Sequence, residues 1–203
     1  MKNIFQKSRS YLSDPDVQLM LEVKKGNKNA FEKLMRKYYP RILNFIYRFT
    51  GSRATAEDLT QEVFMRVFNS AFRYKPRSRF QTWIYTIAKN VGLNELRRRK
   101  NSTLSLDEMV DLGEKDFKKE IRDPHSSLPD EQIIQMEKIA KIRAAINDLP
   151  ENQRIAVILK RYEGFSYAEI AATLKVTDKA VKSLLSRAKE NLKNRLARLE
   201  IQE

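Results

Sequence analysis

The sequence predicts an all-α protein of two small helical domains joined by an acidic flexible linker, the C-terminal domain being a helix-turn-helix. Three observations predict it. Helix start and stop residues recur through residues 14–100 and again through 149–199, and the apolar residues between them repeat at helical spacing. Residues 101–130 lose that periodicity and gather acidic and turn-forming residues instead.

In the first domain, Asp14 followed by Pro15 supplies an N-cap and a first-turn proline, Gly26 ends that helix, and Asn27 caps the next. Pro40 reads as an interruption, because an interior proline removes a hydrogen bond and crowds the preceding turn. A third helix through Ile42, Phe45, Ile46 and Phe49 stops at Gly51, and Thr55 with Asp58 resembles an acidic capping box for a fourth. In that fourth helix Val63, Val67 and Ala71 lie beside Phe64, Phe68 and Phe72, a broad apolar side expected to face the core. Asp58, Gln61 and Glu62 fall together on its exposed side. Such a patch repels DNA and fits a basic protein partner, although favourable interaction with the helix dipole accounts for Glu57 and Asp58 equally well.

Residues 72–100 interleave basic and aromatic residues, FRYKPRSRFQTWIYTIAKNVGLNELRRRK. Arg73, Lys75, Arg77 and Arg79 can neutralise phosphates, while Tyr74, Phe80, Trp83 and Tyr85 offer faces for unstacked bases, a combination suited to single-stranded DNA. Pro76 makes the first part a loop. The following helix is expected to bury Ile84, Ile87, Ala88 and Val91 and to leave Thr86, Asn90, Asn94 and Arg97 as a polar stripe. Trp83 fits either the core or a base-stacking role, and the basic residues 97–100 also complement a helix C-terminus.

Charge follows the same division. Residues 1–100 hold 22 Lys+Arg against 8 Asp+Glu, residues 101–131 hold 4 against 9, and residues 132–203 hold 14 against 9. Two basic blocks around an acidic one fit two nucleic-acid-facing domains and a linker of opposite sign. The linker carries Gly113, Pro124, Ser126, Ser127 and Pro129 and reads as mostly extended or disordered, serving either as a tether or as a segment that docks on a basic surface.

In the second domain, FSYAEIAATLKVTDKAVKSLLSRAKENLK at residues 165–193 has helix-turn-helix punctuation. Ser166 and Glu169 form a capping box for a helix turning Ala168, Ile170, Ala171 and Leu174 inward, and the small Ala168, Ala171 and Ala172 permit a close helix crossing. A turn at Lys175 and Val176 follows. Thr177 then caps a second helix with Val181, Leu185, Ala188 and Leu192 as its buried stripe. Lys179, Ser183 and Ser186 face away from it, flanked by Lys182 and Arg187, as groove entry requires. A helical hairpin with a solvated basic face is the plainer alternative.

Other chemistries are poorly supplied. The chain has no cysteine, and its one histidine, His125, lies in the acidic segment. No catalytic residue, metal site or cofactor is expected, since carboxylate clusters, phosphate-binding loops and metal-ligand spacings are lacking. Residues 1–13 lack the apolar core of a signal peptide and no apolar run approaches a membrane span, so a cytoplasmic location without membrane insertion is expected.

These motifs, in this order, resemble the extracytoplasmic-function group of bacterial sigma factors. AEDLTQEVFMRVF is similar to their second conserved region, RFQTWIYTIAKNVGLNELRRRK to their promoter-melting region, and LPENQRIAVILKRYEGFSYAEIAATL with AVKSLLSRAK to their fourth. The resemblance implies a non-enzymatic initiation factor that binds core RNA polymerase and promoter DNA, with an anti-sigma factor as a further partner. It assigns residues 1–100 to polymerase binding and minus-ten recognition and melting, 101–131 to the acidic linker, and 132–203 to minus-thirty-five recognition. Asp58, Gln61 and Glu62 would meet the polymerase, and the linker would thread its RNA path. Arg73, Lys75, Arg77, Arg79, Phe80, Trp83, Lys89, Asn90 and Arg97 would hold the melted minus-ten strand, and Lys179, Lys182, Ser183, Ser186 and Arg187 the minus-thirty-five duplex. At Leu184 the chain departs from an arginine common in the family. The alternative is a two-domain helix-turn-helix regulator that never becomes a polymerase subunit, its N-terminal domain serving dimerisation or effector sensing. That alternative leaves the aromatic, basic stretch and the acidic patch unexplained.

Overall fold

The computed structural model describes residues 11–105 and 130–200. Among them every regular element is helical, and the chain divides into two compact units, the first built on the helices before the acidic segment together with residues 172–175, the second on the rest of the helices after it.

The first unit opens with α1, Pro15–Lys24. Asp14 caps it by accepting the Asp16 N–H at 3.0 Å, and Pro15 occupies the first turn, where a missing N–H costs nothing. The helix stops in a Schellman turn: Gly26 takes φ +93°, and the Asn27 N–H reaches back to the Glu22 carbonyl at 3.1 Å. Asn27 then caps α2, Lys28–Thr50, by accepting from the Ala30 N–H.

Pro40 does not interrupt α2, which is one continuous helix. The proline lies on the exposed side, where water can satisfy the carbonyl left without its partner. The buried stripe Leu34, Tyr38, Ile42, Phe45, Ile46 and Phe49 runs past it on the other side. Gly51, at φ +76°, ends α2. The cap of α3, Arg53–Ser70, is Ser52 and not Thr55. Ser52 directly follows the glycine stop and accepts from the Thr55 N–H, so the helix begins early enough for Arg53 to pair with Glu57 at 2.9 Å.

The phenylalanine side of α3 leaves the core gradually. Val63, Phe64, Val67 and Ala71 are buried, but Phe68 is 52% and Phe72 81% exposed. Four residues advance a helix by about 400°, so a row spaced by four drifts about 40° per step. The row through Phe64 lies nearer the core edge and drifts into solvent, whereas the row through Val63 stays inside.

A 3-10 turn, Ala71–Arg73, and a loop lead to α4, Phe80–Ser105. Phe80, Ile84, Tyr85, Ala88 and Val91 are buried, while Ile87 is half-buried. The Phe80 ring meets Tyr38 edge-on at 5.1 Å and Tyr85 meets Phe45 at 5.2 Å, so α4 lies directly on α2. Gly92 permits that approach. A Cβ there would come within 2.8 Å of the Phe49 ring. The Asp16 carboxylate, buried at 7% exposure, joins α1 to α2 by accepting from Lys37 Nζ at 2.7 Å and the Tyr38 hydroxyl at 2.6 Å. Burial and then this hydrogen bond push the Tyr38 phenol far above its ordinary pKa.

Helix α4 continues to Ser105, and the second unit starts at Asp130, so helix occupies both margins of the segment read as linker. The expectations for His125 and for residues 106–129 lie outside the described residues. The second unit comprises α5, Asp130–Asn147; α6, Glu151–Arg161; α7, Tyr167–Leu174; and α8, Asp178–Glu200. Helix α8 packs on α5 and α6. Ala145, Ile146, Ile155, Ile158, Leu159, Phe165 and Val181 are buried. Asn191 donates to Gln153 at 2.9 Å, and Arg195 pairs with Asp148, tying α8 to α6 and to the end of α5.

The Ser166–Glu169 capping box forms reciprocally: Glu169 accepts the Ser166 N–H at 2.9 Å, and Ser166 Oγ accepts the Glu169 N–H at 3.3 Å. Of the small residues expected inside, Ala171 is buried, whereas Ala168 and Ala172 are exposed. With only 8 residues, α7 turns a narrow stripe inward, and those two alanines fall outside it. The following turn repeats the device that ends α1. Lys175 takes φ +58°, and the Val176 N–H bonds the Ala171 carbonyl at 3.0 Å. Thr177 caps α8 through the Ala180 N–H.

Two substitutions test these constraints. Gly92→Ala adds about 1 kcal/mol of helix propensity, but the new methyl meets a Phe49 ring that is 1% exposed. Overpacking of about 1–3 kcal/mol prevails, and a urea melt of the variant is expected at a lower midpoint. Lys175→Gly removes a left-handed cost of about 1–2 kcal/mol and returns about 0.5–1 kcal/mol of unfolded-state entropy. Thermal denaturation is expected to show a small rise in Tm; a fall would mean that the lysine side chain contributes more than its backbone strain costs.

Candidate nucleic-acid interface

The first candidate surface is the stretch joining α3 to α4. Over residues 73–80 exposure alternates: Arg73, Lys75, Arg77 and Arg79 are exposed, Tyr74 and Phe80 are buried, and Pro76 and Ser78 lie between. The four cations therefore all reach solvent, although the chain leaves a 3-10 turn at Arg73 and bends at Arg77 and Ser78. Three of them, Arg73, Lys75 and Arg77, border a cavity of about 370 Å³ that is also lined by Ser70, Tyr74, Ser78 and Trp83.

Three aromatic residues expected to offer base-stacking faces are core residues instead. Phe80 and Tyr85 are 0% exposed and Tyr74 is 4% exposed. An aromatic ring next to arginines in sequence is drawn inward whenever its neighbours alternate outward, and here α2 supplies Tyr38 and Phe45 to receive Phe80 and Tyr85. Burial and then the nearby Asp14 carboxylate raise the Tyr74 phenol well above its ordinary pKa, and its hydroxyl has no hydrogen-bond partner within the protein. Trp83 is part core and part surface. It packs against Tyr74 at 4.8 Å and Phe80 at 5.6 Å, yet it is half-buried and lines the cavity.

Farther along α4, Asn90, Asn94 and Arg97 are exposed, whereas Thr86 is half-buried and donates back to the Thr82 carbonyl at 2.7 Å. Lys89 is buried, and that burial lowers its ammonium pKa. It therefore does not join the exposed cations of the loop.

A second surface runs along α3. Asp58 and Gln61 are exposed, and Glu62 is half-buried with its carboxylate held by Arg66 at 2.6 and 2.9 Å. The patch thus carries its own counter-charge. The same side continues into Met65, 65% exposed, followed by Phe68 and Phe72. Sequence periodicity counted these phenylalanines as core; their drift along the helix was the signal that could have identified them as surface.

The third surface is the outer side of α8. Lys179, Lys182, Ser183, Ser186 and Arg187 are all exposed and fall within an arc of roughly 140° at about 100° per residue. Val181 and Ala188 on the opposite side are buried, with Leu184, Leu185 and Leu192 half-buried. A helix presenting cations and short hydroxyls beyond a capped turn has the form and chemistry of a major-groove reader. Among the described residues no group of three or more His, Asp or Glu side chains is placed to hold a metal ion.

Comparison with known proteins covers both units. Residues 34–102 match the family described as Sigma-70 region 2, and residues 139–192 match Sigma-70, region 4. The chain is 32% identical over 181 residues to the RNA polymerase sigma-H factor of Pseudomonas aeruginosa, covering 87% of this chain and 91% of that one. It is 30% identical to the ECF RNA polymerase sigma-E factor of Escherichia coli, over 89% and 94% of the two chains. A solved structure of the sigma factor RpoE with the anti-sigma factor NepR, from Bartonella quintana, shares the fold at TM-score 0.62 and 24% identity, covering 82% of this chain and 96% of that one. With both regions matched in order and the similarity extending over most of its length, the chain belongs to the sigma-70 family, within its extracytoplasmic-function group.

Proposed function

We propose that the chain is a transcription initiation factor that joins core RNA polymerase and directs it to promoters, reading the minus-thirty-five element as duplex and the minus-ten element as melted strand. The observation that carries this reading is the pairing of two different nucleic-acid surfaces on two folded units. Helix α8 presents a groove-sized basic side, and the loop before α4 presents four exposed cations, three of them around a cavity edged by Trp83. The first surface suits duplex DNA, and the second suits an unstacked base with its flanking phosphates. Extruding a base costs a few kcal/mol, which contacts in the cavity and to Asn90 would offset. Residues 1–100 then serve polymerase binding and melting, 101–131 link, and 132–203 read the upstream element.

On this reading the side of α3 bearing Asp58, Gln61 and Glu62 meets the polymerase, with Met65 and Phe68 extending the contact. An anti-sigma protein is a further partner, in keeping with the related structure that contains one. The chain works in the cytoplasm as a binding subunit, without catalysis of its own. Among the described residues no helix is long and apolar enough to cross a membrane.

Run-off transcription with core polymerase and a promoter library tests the whole reading, and specific transcripts are expected. DNA binding without any polymerase-dependent transcript would leave a regulator that acts alone. Replacing Asp58 and Glu62 together by alanine removes two carboxylates and frees Arg66; polymerase affinity is expected to fall about tenfold, equivalent to about 1.4 kcal/mol, with unchanged circular dichroism. Equal affinity in a pull-down titration would exclude this side of α3. Lys182→Ala and Arg187→Ala should each reduce the salt dependence of upstream-element binding by about one counterion, and an unaltered slope would show that neither touches phosphate.

A further inference from the structure

Both ends of the basic loop are fastened to the two ends of α1. Lys24, the last residue of that helix, donates from Nζ to the Tyr74 carbonyl at 3.1 Å. Asp14, its N-cap, accepts the Phe80 N–H on Oδ2 at 3.2 Å while Oδ1 holds the Asp16 N–H. One short helix therefore bonds to the first and last residues of the segment that carries Lys75, Arg77 and Arg79. Its ten-residue rise is about 15 Å at 1.5 Å per residue, which six residue steps of chain, roughly 20 Å when fully extended, can bridge with the bend at Arg77 and Ser78.

Helix α1 is firmly seated. Val17 and Met20 are 0% exposed, and Asp16 is bonded to Lys37 and Tyr38. The Tyr74 hydroxyl has no hydrogen-bond partner within the protein, so its described polar tie to α1 is the carbonyl bond from Lys24. With its two ends held, the loop keeps its cations exposed and Tyr74 and Phe80 buried, although the chain bends at Arg77 and Ser78. Unfastened, four cations within seven residues would repel one another, and the ordering cost would fall on each binding event.

We propose that Lys24 and Asp14 are positioning residues for strand capture: α1 is a splint that fixes both ends of the basic loop and holds its cavity open before DNA arrives. The proposal rests on the strand-capture reading given above. Neither residue is assigned a contact with nucleic acid.

Trp83 is the only tryptophan of the chain and packs on both Tyr74 and Phe80, so its fluorescence reports the loop without DNA. In the full-length protein, Lys24→Ala is expected to raise acrylamide quenching of Trp83 about twofold, with far-UV circular dichroism unchanged. With core polymerase on a duplex promoter, permanganate reactivity of minus-ten thymines should fall about tenfold while binding at the upstream element is retained. Lys24→Arg, which keeps a donor, should restore both signals. Asp14→Ala should reproduce the loosened loop from its other end. Unchanged quenching in Lys24→Ala overturns the splint, and a loosened loop with wild-type promoter opening overturns its positioning role. A double variant, Lys75→Ala with Arg77→Ala, examines strand capture separately. If that variant opens promoters like the wild type, the strand-capture reading fails, whatever Trp83 reports about the splint.

Discussion

The Tyr38 side chain is the point on which the first unit depends. Its hydroxyl lies 2.6 Å from the buried Asp16 carboxylate of α1, its ring meets Phe80 at the start of α4, and its backbone belongs to α2. A phenol can serve an apolar neighbour with its face or edge and a carboxylate with its tip, and no other side chain combines these at this size. Without that hydrogen bond, Asp16 would retain only Lys37 among the two side-chain donors described for it, and a buried carboxylate in that state is costly. The loop before α4 inherits its placement from this joint, because Phe80 is at once its last residue and part of the core.

The acidic and basic surfaces of the first unit are kept distinct by different means. On α3, ion pairs at i and i+4 hold Glu57 to Arg53 and Glu62 to Arg66. Pairs this exposed contribute little to stability, but they keep the carboxylates from drawing in the loop cations. The loop itself carries no acidic residue between Arg73 and Phe80, and its arginines and lysine face outward by alternation. Under the proposed function, a polymerase surface and a DNA surface on one small unit would require that separation, because each ligand would be repelled by the charge that attracts the other.

The helix ends were legible in the sequence because caps are local: Asp14, Asn27, Ser166 and Thr177 each bond an N–H two or three residues away. Glycine stops at Gly26 and Gly51 were legible for the same reason. Pro40 misled because its effect depends on which side of the helix it occupies, and sequence spacing alone does not weigh an exposed carbonyl against a buried stripe. Ser52 was passed over for Thr55, although the preceding glycine left it at the position where a cap is needed. In the candidate site, the loop cations, Arg97 and Asn90 lie at the surface as expected, whereas Lys89 is buried. The burial of Phe80 and Tyr85 was not legible, since it depends on Tyr38 and Phe45 some 40 residues earlier in the chain.

The outward drift of the phenylalanine row on α3 makes chain length more critical there than residue identity. Phe64 in the core and Phe72 in solvent are linked by two helical steps of four residues, and each intervening residue sets a rotation of about 100° for everything after it. Exchanging one apolar side chain for another between them alters only local packing. Deleting a single residue would instead swing Ala71 out and Phe72 round the axis, and would present the 3-10 turn to the basic loop at the wrong angle. Relatives of this protein are accordingly expected to vary in the letters of this stretch but to hold its count of residues constant.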